Sequence, residues 1–443
     1  MKISFENFGV IDKGEIEQKP LTILCGENNT GKTYAMYAMY GALNLEAMWT
    51  LPELEELFSE ATNSNILSFN LLDFFKKNAN DINNIIEMQI NGAGLEFLFN
   101  NFSHDFSTSK NKLNLFDNDI ENLVFNADIL ITRHHATLSK PQGQHIATLS
   151  IRESEENLPV GFLDEYCLFF LSSLLEQTFS AGSSSFQRIL FPAERAGLNL
   201  FYSELNAYRT HILHKQRKDN FVISKYPKPI ADYIDWLNLI PYYKNQKSEL
   251  FADLSSALQN NILGGSYSFD ETNSINFHLN NQKDTLPLHL TSSTVKTYFG
   301  LWFYLQHMAE EGDVLMIDEP ELSLHPNNQR KIARLLMQLV NKGIKVVIST
   351  HSDYIVREFN SLLMLGHAKD EKSKKELMAK YNYQEDELLT KDKVGAYLFH
   401  NKTIDKMQIT DDEGIIATTF DEVIHQLNQS SDDIYYSLKD NHE

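Results

Sequence analysis

The stretch GENNTGKT at residues 26–33 decides the fold. It satisfies the phosphate-loop pattern G-x-x-x-x-G-K-[ST] at every fixed position. An apolar run at residues 21–25 precedes it and is typical of a buried strand, and residues 33–43 follow with a helical pattern. Because such a loop requires a strand before it and a helix after it, the sequence predicts an α/β protein that binds a nucleoside triphosphate.

The chemistry of this loop gives each fixed position a task. Its glycines let backbone N–H groups wrap the phosphates, and the N-terminal end of the next helix adds partial positive charge. Lys32 is expected to reach the phosphates, while the Thr33 hydroxyl is expected to ligate magnesium. The residues expected to hold the phosphates are Gly26, Asn28, Asn29, Thr30, Gly31, Lys32 and Thr33.

Two adjacent carboxylates end a second apolar run, which reads DVLMIDEP at residues 313–320. At the carboxyl end of a strand both side chains can reach the crevice in which α/β sheets bind nucleotides. Asp318 suits the magnesium shell, and Glu319 suits the activation of the attacking water. An acidic turn after a core strand is the alternative, and the phosphate loop makes it the less favoured one.

A third apolar run, residues 344–350, leads directly into His351. The order and spacing of the motifs favour a histidine that hydrogen-bonds the γ-phosphate. A histidine with ordinary surface partners is the alternative.

The order of these motifs resembles the soluble ABC-type ATPases related to SMC and RecF proteins. It runs from the phosphate loop through Asp318-Glu319-Pro320 and ELSLHP (residues 321–326) to STHS (residues 349–352). The similarity is strongest to the ATPase halves of OLD-family nucleases and of anti-phage systems such as PARIS and Septu. It covers roughly residues 1–45 and 285–360.

This resemblance implies an ABC-type head, with a mixed sheet flanked by helices, an antiparallel β lobe, and ATP and magnesium as cofactors. By the same resemblance, residues 323–326 form the D-loop and His351 is the switch histidine. Such ATPases also carry an LSGGQ-like signature that reaches across a dimer to the partner's γ-phosphate. Residues 290–296, LTSSTVK, keep its hydroxyls without its glycines. Ser292 and Ser293 are the leading choices for that contact, and a helix N-cap is the alternative.

Composition and charge limit the class of protein. The 443 residues are 42% hydrophobic and 11% aromatic, which supports two or three compact units. No apolar run is long enough for a membrane span and no secretory signal begins the chain, so we expect a cytoplasmic protein. With only Cys25 and Cys167, neither a disulfide framework nor a cysteine-rich zinc site is credible.

The formal net charge of −21 bears on the partners of the protein. A field of that sign repels a phosphate backbone, so binding DNA would need a local basic surface. The two basic stretches, residues 132–140 and 214–218, are both short. A protein partner is therefore favoured over nucleic acid.

The motif positions predict three parts of the chain. Residues 1–45 and 285–365 form a discontinuous head, and residues 366–443 form a C-terminal extension without the carboxylate pattern of a TOPRIM nuclease. Residues 46–284 form an insertion that completes the β lobe and adds a compact helical lobe for assembly or partner binding. Within the insertion we expect helices at residues 46–86 and 157–185, a β-rich segment at residues 87–152, and a strand stopped by Pro192. Arg195 is expected near the nucleotide, across a dimer, or in a helix-capping ion pair.

Together these features predict a cytoplasmic ABC-type ATPase that binds ATP between two heads and hydrolyses it slowly. The predicted role is the sensor or regulatory subunit of a bacterial anti-phage defence complex. The expected partners are a second copy of the chain in a head-to-head dimer, a separate effector protein that is a nuclease, and a phage-encoded trigger. A higher oligomer of such dimers is the alternative assembly. The alternative is a RecF-like DNA-repair or chromosome-maintenance ATPase that binds DNA.

Overall fold

The computed structural model describes most of the chain, in separate ranges. These are residues 2–43, 66–99, 108–114, 125–131, 134–141, 144–152, 188–202, 226–271, 273–280, 284–416 and 429–437, with isolated residues 56, 60, 204 and 205. The predicted helix at residues 157–185, most of the prediction for residues 46–65, Cys167 and the basic stretch at residues 214–218 lie outside the described residues.

The strands of the described residues are numbered in chain order. They are β1 (Lys2–Phe8), β2 (Ile11–Glu17), β3 (Leu21–Gly26), β4 (Ile66–Asn70), β5 (Lys112–Asn114), β6 (Phe125–Ile131), β7 (His134–Lys140), β8 (Ile146–Arg152), β9 (Arg188–Phe191), β10 (Gly265–Phe269), β11 (Ile275–Leu279), β12 (Thr285–Pro287), β13 (Val314–Asp318), β14 (Lys345–Thr350), β15 (Val394–His400), β16 (Thr403–Lys406), β17 (Ile409–Thr410) and β18 (Gly414–Ile415).

The α-helices with complete bounds are α1 (Lys32–Leu43), α2 (Leu71–Gln89), α3 (Gly92–Leu98), α4 (Lys228–Leu237), α5 (Ile240–Tyr243), α6 (Ala252–Ala257), α7 (Ser293–His307), α8 (Pro326–Asn341), α9 (Asp353–His367) and α10 (Glu371–Tyr381). Residues 195–202 are also helical, and a π-helical turn spans Leu258–Leu263. None of the helices in these ranges combines the length and apolar character that crossing a bilayer requires.

A mixed sheet of nine strands forms the centre of the described structure. Its order is β5-β1-β2-β16-β15-β3-β14-β13-β9. The strands from β15 to β9 run parallel, whereas β5, β1 and β2 pair antiparallel at the other side. Helix α1 packs on β3, β9, β13 and β14, and α8 packs on β14. The predicted α/β class, a mixed sheet flanked by helices, is confirmed.

The register of the parallel strands brings the sequence motifs to one edge. Asp318 at the end of β13 pairs with Ser349 in β14, and Thr350 pairs with Cys25 at the end of β3. Every residue of β3 and β13 is buried, as expected for the middle of a parallel sheet covered on both faces. The phosphate loop, the two carboxylates and His351 therefore leave the sheet side by side.

Strands of the predicted insertion form two further antiparallel sheets, the second of which also includes β12 from the predicted head. One has the order β4-β8-β7-β6 and the other the order β10-β11-β12. Residues 66–70, predicted to be helical, form strand β4 instead, because their partner β8 provides a ladder that local propensity does not reveal. The β-rich prediction for residues 87–152 matches β5 to β8, although α3 interrupts it. The described insertion thus combines helices with sheets.

The sheet also takes in strands from the segment predicted to be a C-terminal extension. Strand β15 pairs with β3 on one side and with β16 on the other. Its sequence, VGAYLFH, fits a buried strand, but its partner lies about 370 residues earlier in the chain, a pairing that no local pattern signals. A head that ended at residue 365 would exclude β15 and β16 from the sheet to which they belong. The division into domains stays a prediction.

Candidate nucleotide site

The loop between β3 and α1 depends on glycine at both of its fixed glycine positions. Gly26 has a φ of 141° and Gly31 a φ of 101°, values that side chains rarely allow. A Cβ at Gly26 would collide with the carbonyl oxygen of Phe399, and one at Gly31 would lie 2.9 Å from side-chain carbons of Val10 and Ile11. Strand β15 and the turn between β1 and β2 therefore lie too close to this loop for a side chain at either glycine position.

A cavity of about 420 Å³ opens on the outer side of the loop. Its lining residues are Val10, Asn28, Asn29, Thr30, Gly31, Lys32, Thr33, Tyr34 and Glu319. The structure thus brings most of the predicted phosphate-binding residues together with the carboxylate predicted to activate water. Gly26 does not line the cavity; it is the last residue of β3, where the loop begins.

Lys32 is buried within the curve of the loop. Its Nζ donates to the carbonyl oxygens of Gly26, at 2.8 Å, and of Glu27, at 2.6 Å. Burial lowers the pKa of Lys32, while the negative charges of Glu319 and Asp318 act in the opposite direction. Two backbone oxygens at the start of the loop therefore fix the position of the Lys32 ammonium group.

The two residues predicted to hold magnesium are in contact. The Thr33 hydroxyl donates to Oδ2 of Asp318 at 3.0 Å, and the Ser349 hydroxyl donates to its Oδ1. Among the described residues no cluster of three or more His, Cys, Asp or Glu side chains could hold a metal ion by itself. A hydroxyl beside one carboxylate nevertheless fits magnesium, which prefers oxygen ligands and takes several of them from phosphate and water.

Glu319 sits in a strained turn directly after β13. Its φ is 50°, in the left-handed region, which costs on the order of 1–3 kcal/mol for a residue with a side chain. Its backbone N–H donates to the Ser349 hydroxyl and carbonyl oxygens at 3.1 and 3.2 Å. This turn aims the Glu319 side chain into the cavity, where strain of this kind often marks a functional residue.

His351 follows β14 and faces the two glutamates that follow β13. Its Nδ1 lies 3.6 Å from Oε1 of Glu319 and 3.3 Å from Oε1 of Glu321. The imidazole side chain is 43% exposed, whereas the Glu321 side chain is 5% exposed. Burial raises the pKa of Glu321, and hydrogen bonds from His351 and Thr350 oppose that rise. The predicted switch histidine is therefore part of a cluster that includes Glu319, the carboxylate predicted to activate water.

This geometry, a phosphate loop facing a strand-end Asp-Glu pair across a cavity, is that of a P-loop ATPase, and a family model agrees with it. The family model described as AAA ATPase domain matches residues 1–356. The chain belongs to this AAA ATPase domain family. It is therefore an ATP-binding protein with a P-loop nucleotide site.

Comparison with solved structures finds SMC head domains at low similarity. An SMC head domain from Thermotoga maritima has 10% sequence identity and a TM-score of 0.35, covering 92% of this chain and 98% of that chain. An Smc head domain bound to the C-terminal domain of ScpA, derived from Pyrococcus furiosus, has 12% identity and a TM-score of 0.34, covering 97% and 98%. Comparison with curated proteins gave no match. The narrower similarity to OLD, PARIS and Septu proteins stays a prediction.

In this AAA-family chain, Ser292 and Ser293 do not line the cavity. Both are exposed at the start of α7, and the Ser292 hydroxyl accepts from the backbone N–H of Val295 at 3.3 Å, which is an N-cap contact. The Thr294 hydroxyl donates to the carbonyl oxygen of Ser323 at 2.5 Å, so this end of α7 is attached to the predicted D-loop. A contact of either serine with ATP requires a second copy and stays a prediction.

Arg195 is buried against the turn after β13, next to Glu319, which lines the cavity. It is 2% exposed, and its guanidinium donates to the carbonyl oxygens of Asp318 at 2.7 Å, Glu319 at 2.8 Å and Pro192 at 3.0 Å. It therefore binds backbone oxygens and forms no capping ion pair with the residues that the structure describes. The guanidinium group therefore links Pro192, which follows β9, to the backbone of Asp318 and Glu319.

Replacing Arg195 by lysine tests this role. A single ammonium cannot reach all three carbonyl oxygens in the planar geometry of a guanidinium, so Arg195→Lys leaves buried acceptors unpaired. We expect the free energy of unfolding to fall by about 1–3 kcal/mol in denaturant titrations, and turnover of ATP to fall about tenfold.

The control is Arg357→Lys, because Arg357 forms an exposed ion pair with Asp353. That variant should behave like the wild type. Wild-type turnover by a folded Arg195→Lys protein would show that the turn holds its shape without the guanidinium.

Proposed function

We propose that this chain hydrolyses ATP slowly at the cavity between the phosphate loop and the turn after β13. The observation that carries the proposal is the 3.0 Å contact between Thr33 and Asp318, side chains 285 positions apart. It lies beside Glu319, which lines the same cavity as the loop. The cavity is thus lined by the phosphate loop with Thr33 and by Glu319, and Asp318 contacts Thr33.

The residues act by positioning and charge stabilisation. Loop amides and Lys32 bind the phosphates, and the ammonium group exchanges its carbonyl partners for phosphate oxygens. Thr33 and Asp318 would hold magnesium, which would supply positive charge beside the phosphates. Glu319 accepts the proton of the attacking water, and His351 steadies the γ-phosphate. No covalent intermediate with the protein is needed.

Glu319→Gln separates binding from hydrolysis. The carboxamide keeps the shape of the side chain but cannot accept a proton, so turnover should fall at least about a hundredfold while ATP affinity is kept. Lys32→Ala, in contrast, should weaken ATP binding itself. Phosphate release and equilibrium binding of labelled ATP measure the two effects.

Glu376→Gln, at an exposed position of α10, serves as the matched control and should leave both unchanged. Undiminished turnover by the Glu319→Gln protein would remove Glu319 from the mechanism.

We further propose that two copies of the chain enclose each ATP. Within one chain the exposed Ser292 and Ser293 lie outside the cavity, whereas the resemblance to signature segments assigns them to a partner's γ-phosphate. A site completed only on dimerisation accounts for slow turnover, because an isolated chain lacks part of the phosphate contacts.

Mixed dimers test this arrangement. Lys32→Ala keeps a good Ser292–Ser293 segment, and Ser292→Arg keeps a good phosphate loop, so each homodimer should be inactive. After co-expression, one of the two sites in a mixed dimer combines the intact halves, and part of the ATPase activity should return. Ser256→Arg, at an exposed serine of α6, is the control and should be active alone. If mixed dimers form and stay inactive, the proposed contact of these serines with ATP is wrong, and Ser292 acts as a helix cap only.

For the biological role, we propose a sensor or regulatory subunit of an anti-phage defence complex that controls a separate nuclease effector. The motif resemblance to the PARIS and Septu ATPases supports this proposal. The net charge of −21 supports a protein partner over DNA. A RecF-like repair ATPase is the second candidate.

Phage plating distinguishes the two roles. Cells that carry the gene with its operon neighbours should reduce the plating of sensitive phages, and Lys32→Ala should abolish that protection. Unchanged plating across a phage panel, together with steeply salt-dependent DNA binding by the purified chain, would favour the repair role.

A further inference from the structure

Glu321 is buried beside Glu319 and His351, in a position that lowers the stability of the fold. It lies three residues after Asp318, and only 5% of its side chain is exposed. Its Oε1 collects hydrogen bonds from the Thr350 hydroxyl and from the backbone N–H of His351, both at 2.8 Å. Its Oε2 is buried and has no hydrogen-bond partner among the described residues. A buried charged oxygen without a partner costs stability, so a reason other than stability is needed.

The same Oε1 faces the ring of His351. The distance from this oxygen to Nδ1 is 3.3 Å, which is shorter than the 3.6 Å from Nδ1 to Oε1 of Glu319. Glu321 therefore accepts a hydrogen bond from the main chain of His351 and lies beside its ring. A carboxylate on one ring nitrogen fixes the orientation of an imidazole and directs the other nitrogen away from itself.

We propose that Glu321 is a positioning residue of ATP hydrolysis that acts through His351. It draws the Nδ1–H of the imidazole to itself and leaves Nε2, on the opposite edge of the ring, for the γ-phosphate. It also keeps Nδ1–H from Glu319, whose carboxylate stays free to accept the proton of water. This inference rests on the ATPase function proposed above.

A purely structural role for Glu321 would be to join the segment after β13 to the segment after β14. Gln329 already makes such a link. Its side-chain amide donates to the carbonyl oxygen of Leu324 at 3.1 Å and accepts from the Ser352 hydroxyl at 2.5 Å. Gln329 crosses between the same two segments without touching the imidazole. It is therefore the matched control for a variant of Glu321.

The experiment compares Glu321→Gln in the wild type and in a His351→Ala background. Glutamine keeps the volume and one acceptor oxygen but removes the charge. In the wild-type background, kcat should fall about tenfold to a hundredfold, the range found when carboxylates that orient histidines are removed, with KM for ATP within about twofold. In the His351→Ala background the same substitution should change kcat less than about twofold, because the two residues act as one unit. Single-turnover assays with labelled ATP keep the slow variants measurable.

The control variant Gln329→Ala should lower the melting temperature and change kcat less than about threefold, by the same factor in both backgrounds. If Glu321→Gln does not fold, Thr350→Val replaces it, since that change removes one donor to Oε1 and leaves the carboxylate in place. Its expected few-fold loss of kcat should likewise vanish without His351.

Wild-type kcat in folded Glu321→Gln, or an equal fold-loss with and without His351, would overturn the proposal. Failure of the ATPase function itself shows separately, as turnover that survives Glu319→Gln in the same assay.

Discussion

The parallel register of β3, β14 and β13 is the constraint on which the site depends. Asp318 pairs with Ser349, and Thr350 pairs with Cys25, so three distant segments of the chain end at the same level of the sheet. A slip of one residue in either pairing would turn every side chain of the strand to the other face. The contact between Thr33 and Asp318 follows from this register, as does the position of His351 between two glutamates.

The local charges of the site follow from the same arrangement. Asp318, Glu319 and Glu321 lie within four positions, and the lysine that faces them is buried. Burial alone would favour the neutral form of Lys32, but the carboxylates stabilise its charge. Hydroxyl groups from Thr33, Ser349 and Thr350 in turn donate to these carboxylates. The polar groups of the site thus stabilise one another before any phosphate arrives.

The sequence predicted those parts of the site that local pattern encodes. The phosphate loop and the Asp318-Glu319 pair each lie at the end of a strand whose apolar run is visible in the chain. The structure places the loop and Glu319 around one cavity, with Asp318 in contact with Thr33. The residues that hold these groups in place, Arg195, Ser349 and Glu321, were not predictable from the sequence. Each contacts a residue 30 or more positions away in the chain, and no local pattern signals such a contact. Strands β15 and β16 were missed as parts of the sheet for the same reason. Ser292 carries the hydroxyl that the signature comparison required, yet its observed contact is the N-cap that was the alternative.

The closeness of Phe399 to Gly26 has a consequence for the order of events during synthesis. The first residue of the phosphate loop pairs with a residue of β15, a strand that the ribosome makes hundreds of residues later. At about 5–20 residues per second, the loop waits on the order of tens of seconds for the strand against which it packs. During that interval β3 has an open edge, which is a template for pairing with other chains. A nascent chain is therefore expected to need protection until β15 emerges, and to complete its nucleotide site only after that strand has paired with β3.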